Sequence, residues 1–300
     1  MSLLARAVLG VLPHVPKPVL RVFARNYIAG ETLEDALREL ERLRAVGHPG
    51  ILDILGEDVT TEQGSRAVVE QYSRAAEAVA RAGLDCYVSV KPTHVGLRLS
   101  EELAFRQYSH LAEALAKLGL FLRVEMEDAS TTDATLRLFE RLREAHSNVG
   151  LVLQSRLFRT PDDIRRLRPG PLDVRMVKGI YLEPAKIAHT EPEPIRAAYV
   201  ECARLLFERG ARVAFATHDD LLAQRLVPLV PGGDKRRYEF QVLLGVQSAL
   251  WRRWREAGHP VRVYVPFGPE WKPYSLRRMR KNPQIFWHVV RAGLGLSSRS

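Results

Sequence analysis

From residue 31 onward the chain repeats one phrase. A stretch with helically spaced apolar residues meets a glycine, then a short run rich in Val, Leu and Ile. Thr32 to Arg44 places Leu33, Leu37, Leu40 and Leu43 on one stripe, with Thr32 set to cap it. Gly47-His48-Pro49-Gly50 stops that helix, and Ile51 to Leu55 reads as a strand. The same order then gives helices over Thr61–Arg81, Glu101–Leu118 and Thr131–Ala145, each followed by a strand, at Cys86–Val90, Phe121–Met126 and Leu151–Leu153. A short helix opens at Thr160-Pro161-Asp162-Asp163, with cap, N1 proline and first-turn acids, and leads to Val174–Val177. Pro194–Glu208, Asp220–Val227 and Val246–Glu256 precede strands at Val213–Ala216, Tyr238–Phe240 and Val261–Val265, and Pro273–Ala292 closes the series. Glycine just past a helix end is the left-handed C-cap that lets a chain turn back into a strand.

Eight strand–helix pairs in about 250 residues is the arithmetic of a (β/α)8 barrel, an α/β fold. The predicted organisation is an N-terminal arm and helix over residues 1–48 and the barrel over residues 49–300. A doubly wound open sheet is the alternative. It usually carries a Gly-rich phosphate turn after its first strand, which Leu55-Gly56-Glu57-Asp58 is not.

In such a barrel, chemistry sits at the C-terminal ends of the strands. Those positions read Glu57, Lys91, Glu125 with Glu127 and Asp128, Gln154, Arg175 with Lys178, Thr217 with His218, Glu239 with Gln241, and Tyr264. Each alone could be a loop residue in water, but polar groups recur at the end of every strand. His94, His189 and His218 are scattered, no HxH or HExxH occurs, and no Gly-x-Ser-x-Gly is present, so neither metal nor a serine nucleophile is indicated. Cations, amides and hydroxyls among apolar walls suit an anionic organic cofactor and an anionic substrate. Further on, Tyr274-Ser275-Leu276-Arg277-Arg278 puts an aromatic ring and two guanidinium groups on one helix face. Arg fits a carboxylate bidentately, although in an Arg-rich chain the same spacing also describes a solvated face.

The net charge of +10 invites nucleic acid or an anionic membrane as partner. The basic residues alternate with Glu on helices, as in Glu39-Leu40-Glu41-Arg42-Leu43-Arg44, which is the pattern of a solvated face with paired charges. Cys86 and Cys202 fit no ligand or redox spacing and read as buried thiols of a reducing compartment. No apolar stretch reaches the roughly 18 residues a spanning helix needs. The first 29 residues carry Arg6, Lys17, Arg21 and Arg25, no acid, and an apolar stripe from Leu3 to Leu12. That arm could lie on a membrane surface or pack on the barrel.

At its strand ends the sequence resembles the proline dehydrogenase family, and at this length the monofunctional bacterial type. The matching stretches are Ser89-Val90-Lys91, Val124-Glu125-Met126-Glu127-Asp128, Arg175-Met176-Val177-Lys178-Gly179-Ile180-Tyr181, Ala216-Thr217-His218-Asp219, Tyr238-Glu239-Phe240-Gln241, Tyr264-Val265-Pro266-Phe267-Gly268 and Tyr274-x-x-Arg277-Arg278. The resemblance implies a distorted (β/α)8 TIM-like barrel with extra N-terminal helices and the last helix over the barrel mouth. It implies FAD at the strand C-termini and oxidation of L-proline to 1-pyrroline-5-carboxylate by hydride transfer to flavin N5, with quinone as the electron acceptor. Arg175 would stabilise the reduced flavin, and Met126, Gln154, Lys178, Gly179, Ile180, Thr217 and His218 would also contact FAD. Lys91, Arg277 and Arg278 would bind the proline carboxylate, and Tyr264, Tyr274 and Leu243 would wall the ring. Glu57 resembles a gate that pairs with Arg277. Glu125 stands where the family usually has a catalytic Asp, and Ile180 where it usually has Ala. The proline amine must be neutral to release electrons, and a cationic wall would lower its pKa. The implied location is cytoplasmic, peripheral on the inner face of the bacterial membrane if the arm binds there. Two other functions are compatible with the residues: a flavin-dependent barrel oxidoreductase acting on another cyclic or N-alkyl amino acid, and a non-catalytic basic barrel that binds nucleic acid. The last is disfavoured because few aromatics interleave with the basic runs.

Overall fold

Thr32 caps the first helix as its position implies. Its hydroxyl accepts from the Asp35 amide at 3.2 Å, and the Asp35 carboxylate accepts from the Thr32 amide at 3.2 Å, which satisfies two donors a helix start leaves bare. The computed structural model describes residues 24, 27–272 and 274–276. The basic arm, Arg277, Arg278 and most of the closing helix lie outside the described residues.

Helix α1 spans Leu33–Ala45 and strand β1 Gly50–Ile54. Then come α2 (Glu62–Arg81), β2 (Cys86–Val90), α3 (Glu101–Lys117), β3 (Leu122–Val124), α4 (Thr132–Ala145) and β4 (Val149–Gln154). The second half runs α5 (Thr160–Arg166), β5 (Asp173–Val177), α6 (Pro192–Glu208), β6 (Arg212–Ala216), α7 (Asp220–Leu226), β7 (Tyr238–Leu243), α8 (Ser248–Glu256) and β8 (Val261–Phe267). All eight strands are parallel and close in chain order, with β1 paired to both β2 and β8. The turn after α2 shows why glycine punctuates the pattern: Gly83 sits at φ +58, in the left-handed region that disfavours a Cβ.

Side chains alternate across each strand, so each barrel strand has an outer and an inner face. The outer positions are apolar and buried: Leu52, Val88, Val90, Leu122, Val124, Leu151, Leu153, Val174, Met176, Val213, Phe215, Phe240, Val263 and Val265. They pack under Leu40, Tyr72, Tyr108, Leu138 and Tyr199 of the helices in one continuous core. Burying such a side chain is worth about 1.5–3 kcal/mol, so this layer between sheet and helices carries the stability. The inner face is different. Arg123, Glu125, Arg175, Gln241 and Asp53 are all inside the barrel, bonded to one another and to neighbours across it. This inner face explains two differences from the sequence reading. Strand β7 is six residues long rather than three, because the inward Glu239 and Gln241 interrupt the apolar run without ending the strand. For the same reason Glu239 is not a mouth residue. It sits near the start of β7 and pairs with Arg212 and Arg262 at the starts of β6 and β8.

Among the described residues no helix is long and apolar enough to cross a membrane. Cys86 and Cys202 are free and buried, and burial pushes each thiol up to about 12.

Candidate active site

The strand C-termini open into a cavity of about 800 Å³, within the range of small-molecule sites. Lys91, Glu125, Met126, Gln154, Arg175, Gly179, Ile180, Thr217, His218, Leu243, Tyr264, Tyr274 and Glu57 all line it. These are residues expected from the sequence, brought together from all eight strands and the segment after β8. Lys178 is the exception. Its ammonium is turned away to the Asp219 carboxylate, which Arg196 also engages at 2.6 Å, and it does not line the cavity.

Two ion pairs define the floor. Lys91 Nζ donates to both Asp53 oxygens, at 3.2 and 3.1 Å. Asp53 is 1% exposed, and the Tyr72 hydroxyl packed behind it donates at 3.3 Å. Burial works against the Lys91 charge, but Asp53, Glu125 and Glu57 outweigh it and hold its pKa above the ordinary value. Burial pushes the Asp53 carboxyl up, with Lys91 pulling the other way. The second pair joins Arg175 to Glu125. Glu125 also accepts from Ser89 Oγ at 2.5 Å and from the Tyr264 hydroxyl at 3.1 Å. Burial opposes its charge, yet Arg175, Ser89 and Lys91 win, so Glu125 titrates below the usual carboxylate range. The Arg175 guanidinium carbon lies 5.2 Å from the centre of the Tyr264 ring, within cation–π range.

Of the cationic wall expected from the sequence, Lys91 is described, while Arg277 and Arg278 lie outside the described residues. Among the described residues each floor cation faces a carboxylate. Asp53 is inside β1 rather than at its end, so strand-end position does not point to it. The available signal was a lone acid in the otherwise apolar run Ile51-Leu52-Asp53-Ile54-Leu55. Gln241, Tyr181 and Gln247 also line the cavity and were not given roles.

Glu127 stands at the rim, 4% exposed. It accepts from the Thr93 amide and hydroxyl, both at 2.8 Å. Thr93 in turn accepts from the amides of Asp58 and Val59 in the loop after β1. Arg98 ties the same two loops together, bonding Asp58 at 2.8 Å and Asp128 at 2.7 Å. Glu57, on that loop, is thus held near the floor from outside the cavity.

The cavity suits a flavin. Val152, Met126, Ala216, Val242 and Leu243 supply apolar wall for a flat ring system, while Gln154, Thr217, His218 and Arg175 supply polar groups at its edge. Gly179 leaves a cradle: it holds φ +102, and a Cβ there would come within 2.8 Å of Gln154 Oε1 and 2.9 Å of Arg156. A close backbone approach to a ligand is a recurrent use of such a glycine. Among the described residues no group of three or more His, Cys, Asp or Glu could hold a metal ion.

The sequence model of the family described as proline dehydrogenase matches residues 36–285. The chain is 33% identical over 282 residues to proline dehydrogenase of Deinococcus radiodurans, covering 90% of each. It is 31% identical over 271 residues to proline dehydrogenase 1 of Bacillus subtilis, covering 88% of each. In fold it is similar to proline utilization A from Bdellovibrio bacteriovorus inactivated by N-propargylglycine, with a TM-score of 0.81, 23% identity and 87% of this chain covered. The chain spans 33% of the length of that larger protein.

Proposed function

This chain belongs to the proline dehydrogenase family, and from that premise we propose that it oxidises L-proline to 1-pyrroline-5-carboxylate with FAD as cofactor and quinone as the final electron acceptor. The observation that carries the reading is the buried Arg175 guanidinium on the cavity floor, fixed by Glu125 and Gln241. A rigid cation there favours negative charge that develops on a bound redox group, and in a buried site it does so with little reorganisation.

FAD would supply a two-electron hydride acceptor next to Arg175. Gln154, Thr217, His218, Met126 and the Gly179 backbone would hold it. Lys91 is the one floor ammonium among the described residues, and its pairing with Asp53 fixes where it can offer a donor to the substrate carboxylate. Tyr264, Tyr274 and Leu243 would close around the pyrrolidine ring and keep water from it. The Tyr264 hydroxyl is committed to Glu125, so this side chain would present ring rather than donor to the substrate. Glu125, held ionised, balances the charge of Arg175. The substrate loses a hydride from the carbon next to nitrogen and a proton from nitrogen. An amine that is neutral before transfer needs no strong base in the wall.

The test is spectroscopic. The purified protein should carry a flavin absorbance that bleaches on anaerobic addition of L-proline. A preparation that binds no FAD, or whose flavin ignores L-proline, refutes the proposal.

A further inference from the structure

Arg175 is aimed by Gln241, which also lines the cavity, and by Tyr87 and Glu239 behind it, which do not. Its Nε donates to Gln241 Oε1 at 2.6 Å, and its Nη2 lies 3.4 Å from the Tyr87 hydroxyl. The Gln241 amide nitrogen donates to the Tyr87 hydroxyl and to Glu239 Oε1, each at 2.6 Å. Glu239 is clamped in turn: Arg212 donates to it at 2.8 Å, and Arg262 at 3.2 Å to both oxygens. Arg262 is itself fixed on the Gly50 carbonyl at 3.1 Å and on Asp85 at 2.9 Å. Glu239, Gln241 and Arg175 are each 3% exposed.

The chemistry of these partners allows one amide orientation. Glu239 can only accept and the Arg175 Nε–H can only donate. Reversing the amide would set oxygen against the Glu239 carboxylate and NH2 against a guanidinium, two repulsive contacts in a dry interior. Burial opposes the Glu239 charge, but Arg262 and Arg212 overcome it and hold the carboxyl down to about 2. Glu239 therefore stays an acceptor at neutral pH, and the lock holds there. Gln241 is also neutral, so it steers Arg175 without cancelling its charge, as a second carboxylate beside Glu125 would.

We propose that Gln241 is a positioning residue for the redox step: oriented by Glu239 and Tyr87, it holds the Arg175 guanidinium in its plane, so the field of that cation at the flavin is set from the opposite end of the barrel. This rests on the flavin reading above and extends it through Gln241 to Tyr87 and Glu239, which do not line the cavity. Gln241 acts through Arg175, so its loss affects the electronics of the cofactor more than the grip on the substrate.

The experiment compares wild type, Gln241→Met and Tyr87→Phe as flavin-loaded proteins. Wild type first shows whether L-proline bleaches the flavin, which tests the parent reading by itself. Gln241→Met is then expected to retain flavin, to lose about tenfold or more in kcat and to keep KM for L-proline within about threefold. Its flavin midpoint potential is expected to move negative, about 30 mV for each tenfold change in the two-electron reduction equilibrium. Tyr87→Phe removes only the hydroxyl and keeps the ring, and is expected to shift kcat and potential the same way by less. If Gln241→Met does not fold, Tyr87→Phe decides. A bleaching wild type beside variants with unchanged potential and kcat overturns the positioning role. So does a rise in KM alone, which would make Gln241 part of the substrate wall.

Discussion

Glu127→Gln isolates one buried charge at the rim of the site. Burial, the largest influence, pushes the Glu127 carboxyl up from 4.5 to about 7, and Glu57 adds to this, while the two bonds from Thr93 and the charge of Lys91 pull it down without prevailing. A carboxyl whose pKa is raised by folding favours the native state only while protonated. Its contribution is complete below about pH 4.5, falls as the pH climbs, and is lost above about pH 7. Each pH unit across that window is worth about 1.4 kcal/mol, which sums to about 3 kcal/mol of native-state penalty at pH 8. Glutamine has the volume and shape of the protonated acid and can still face the Thr93 amide with its oxygen and the Thr93 hydroxyl with its nitrogen. The variant should therefore match wild type near pH 4.5 and exceed it by about 3 kcal/mol at pH 8, some 6 °C in Tm for a chain of this size. Denaturant unfolding of both proteins between pH 4.5 and 8.5 reads the difference directly. A difference that does not change with pH, or that favours wild type at pH 8, would refute the claim that Glu127 is buried against its charge.

Lys91→Met should raise KM for L-proline by about 10- to 150-fold, because a hydrogen bond to a charged group is worth about 1.5–3 kcal/mol. Flavin absorbance should stay and kcat should change far less, as steady-state kinetics will show. Asp53→Asn leaves Lys91 facing Glu57 and Glu125, so it should lower unfolding free energy by less than the 3–5 kcal/mol or so of a broken isolated buried pair, measured by denaturant titration. Gly179→Ala places a methyl where φ is +102, which strains the backbone by about 1–2 kcal/mol. It should lower flavin affinity, read as flavin released on dialysis, while the far-UV spectrum of the barrel is retained.

Much of the site was legible because barrels put chemistry at strand ends. Lys91, Gln154, Thr217 and His218 were found by position alone, and Arg175 and Glu125 by position with motif. Lys178 does not line the cavity because strand-end position does not say which way a long side chain turns, and here its ammonium pairs with Asp219, which Arg196 also engages. Asp53 is hard to see because an inward polar residue inside a strand looks, in sequence, like an interruption, and Gln241 stands out by position without its partner Arg175 being evident.

The sequence alone determined the number of strands and helices, their order and the residue types at the barrel mouth. Periods of 2 and 3.6, with capping threonines and terminal glycines, are local signals that reach only a few residues. The tertiary structure decided which charges neutralise which. Asp53 meets Lys91 across 38 residues of chain, Glu125 meets Arg175 across 50, and Arg175 meets Gln241 across 66. Those meetings depend on closure of the barrel and on how adjacent strands are offset, and no local pattern encodes either. Among the described residues, Lys91 and Arg175 on the floor of the site are each paired with a carboxylate, because the inner faces of the strands converge on one axis.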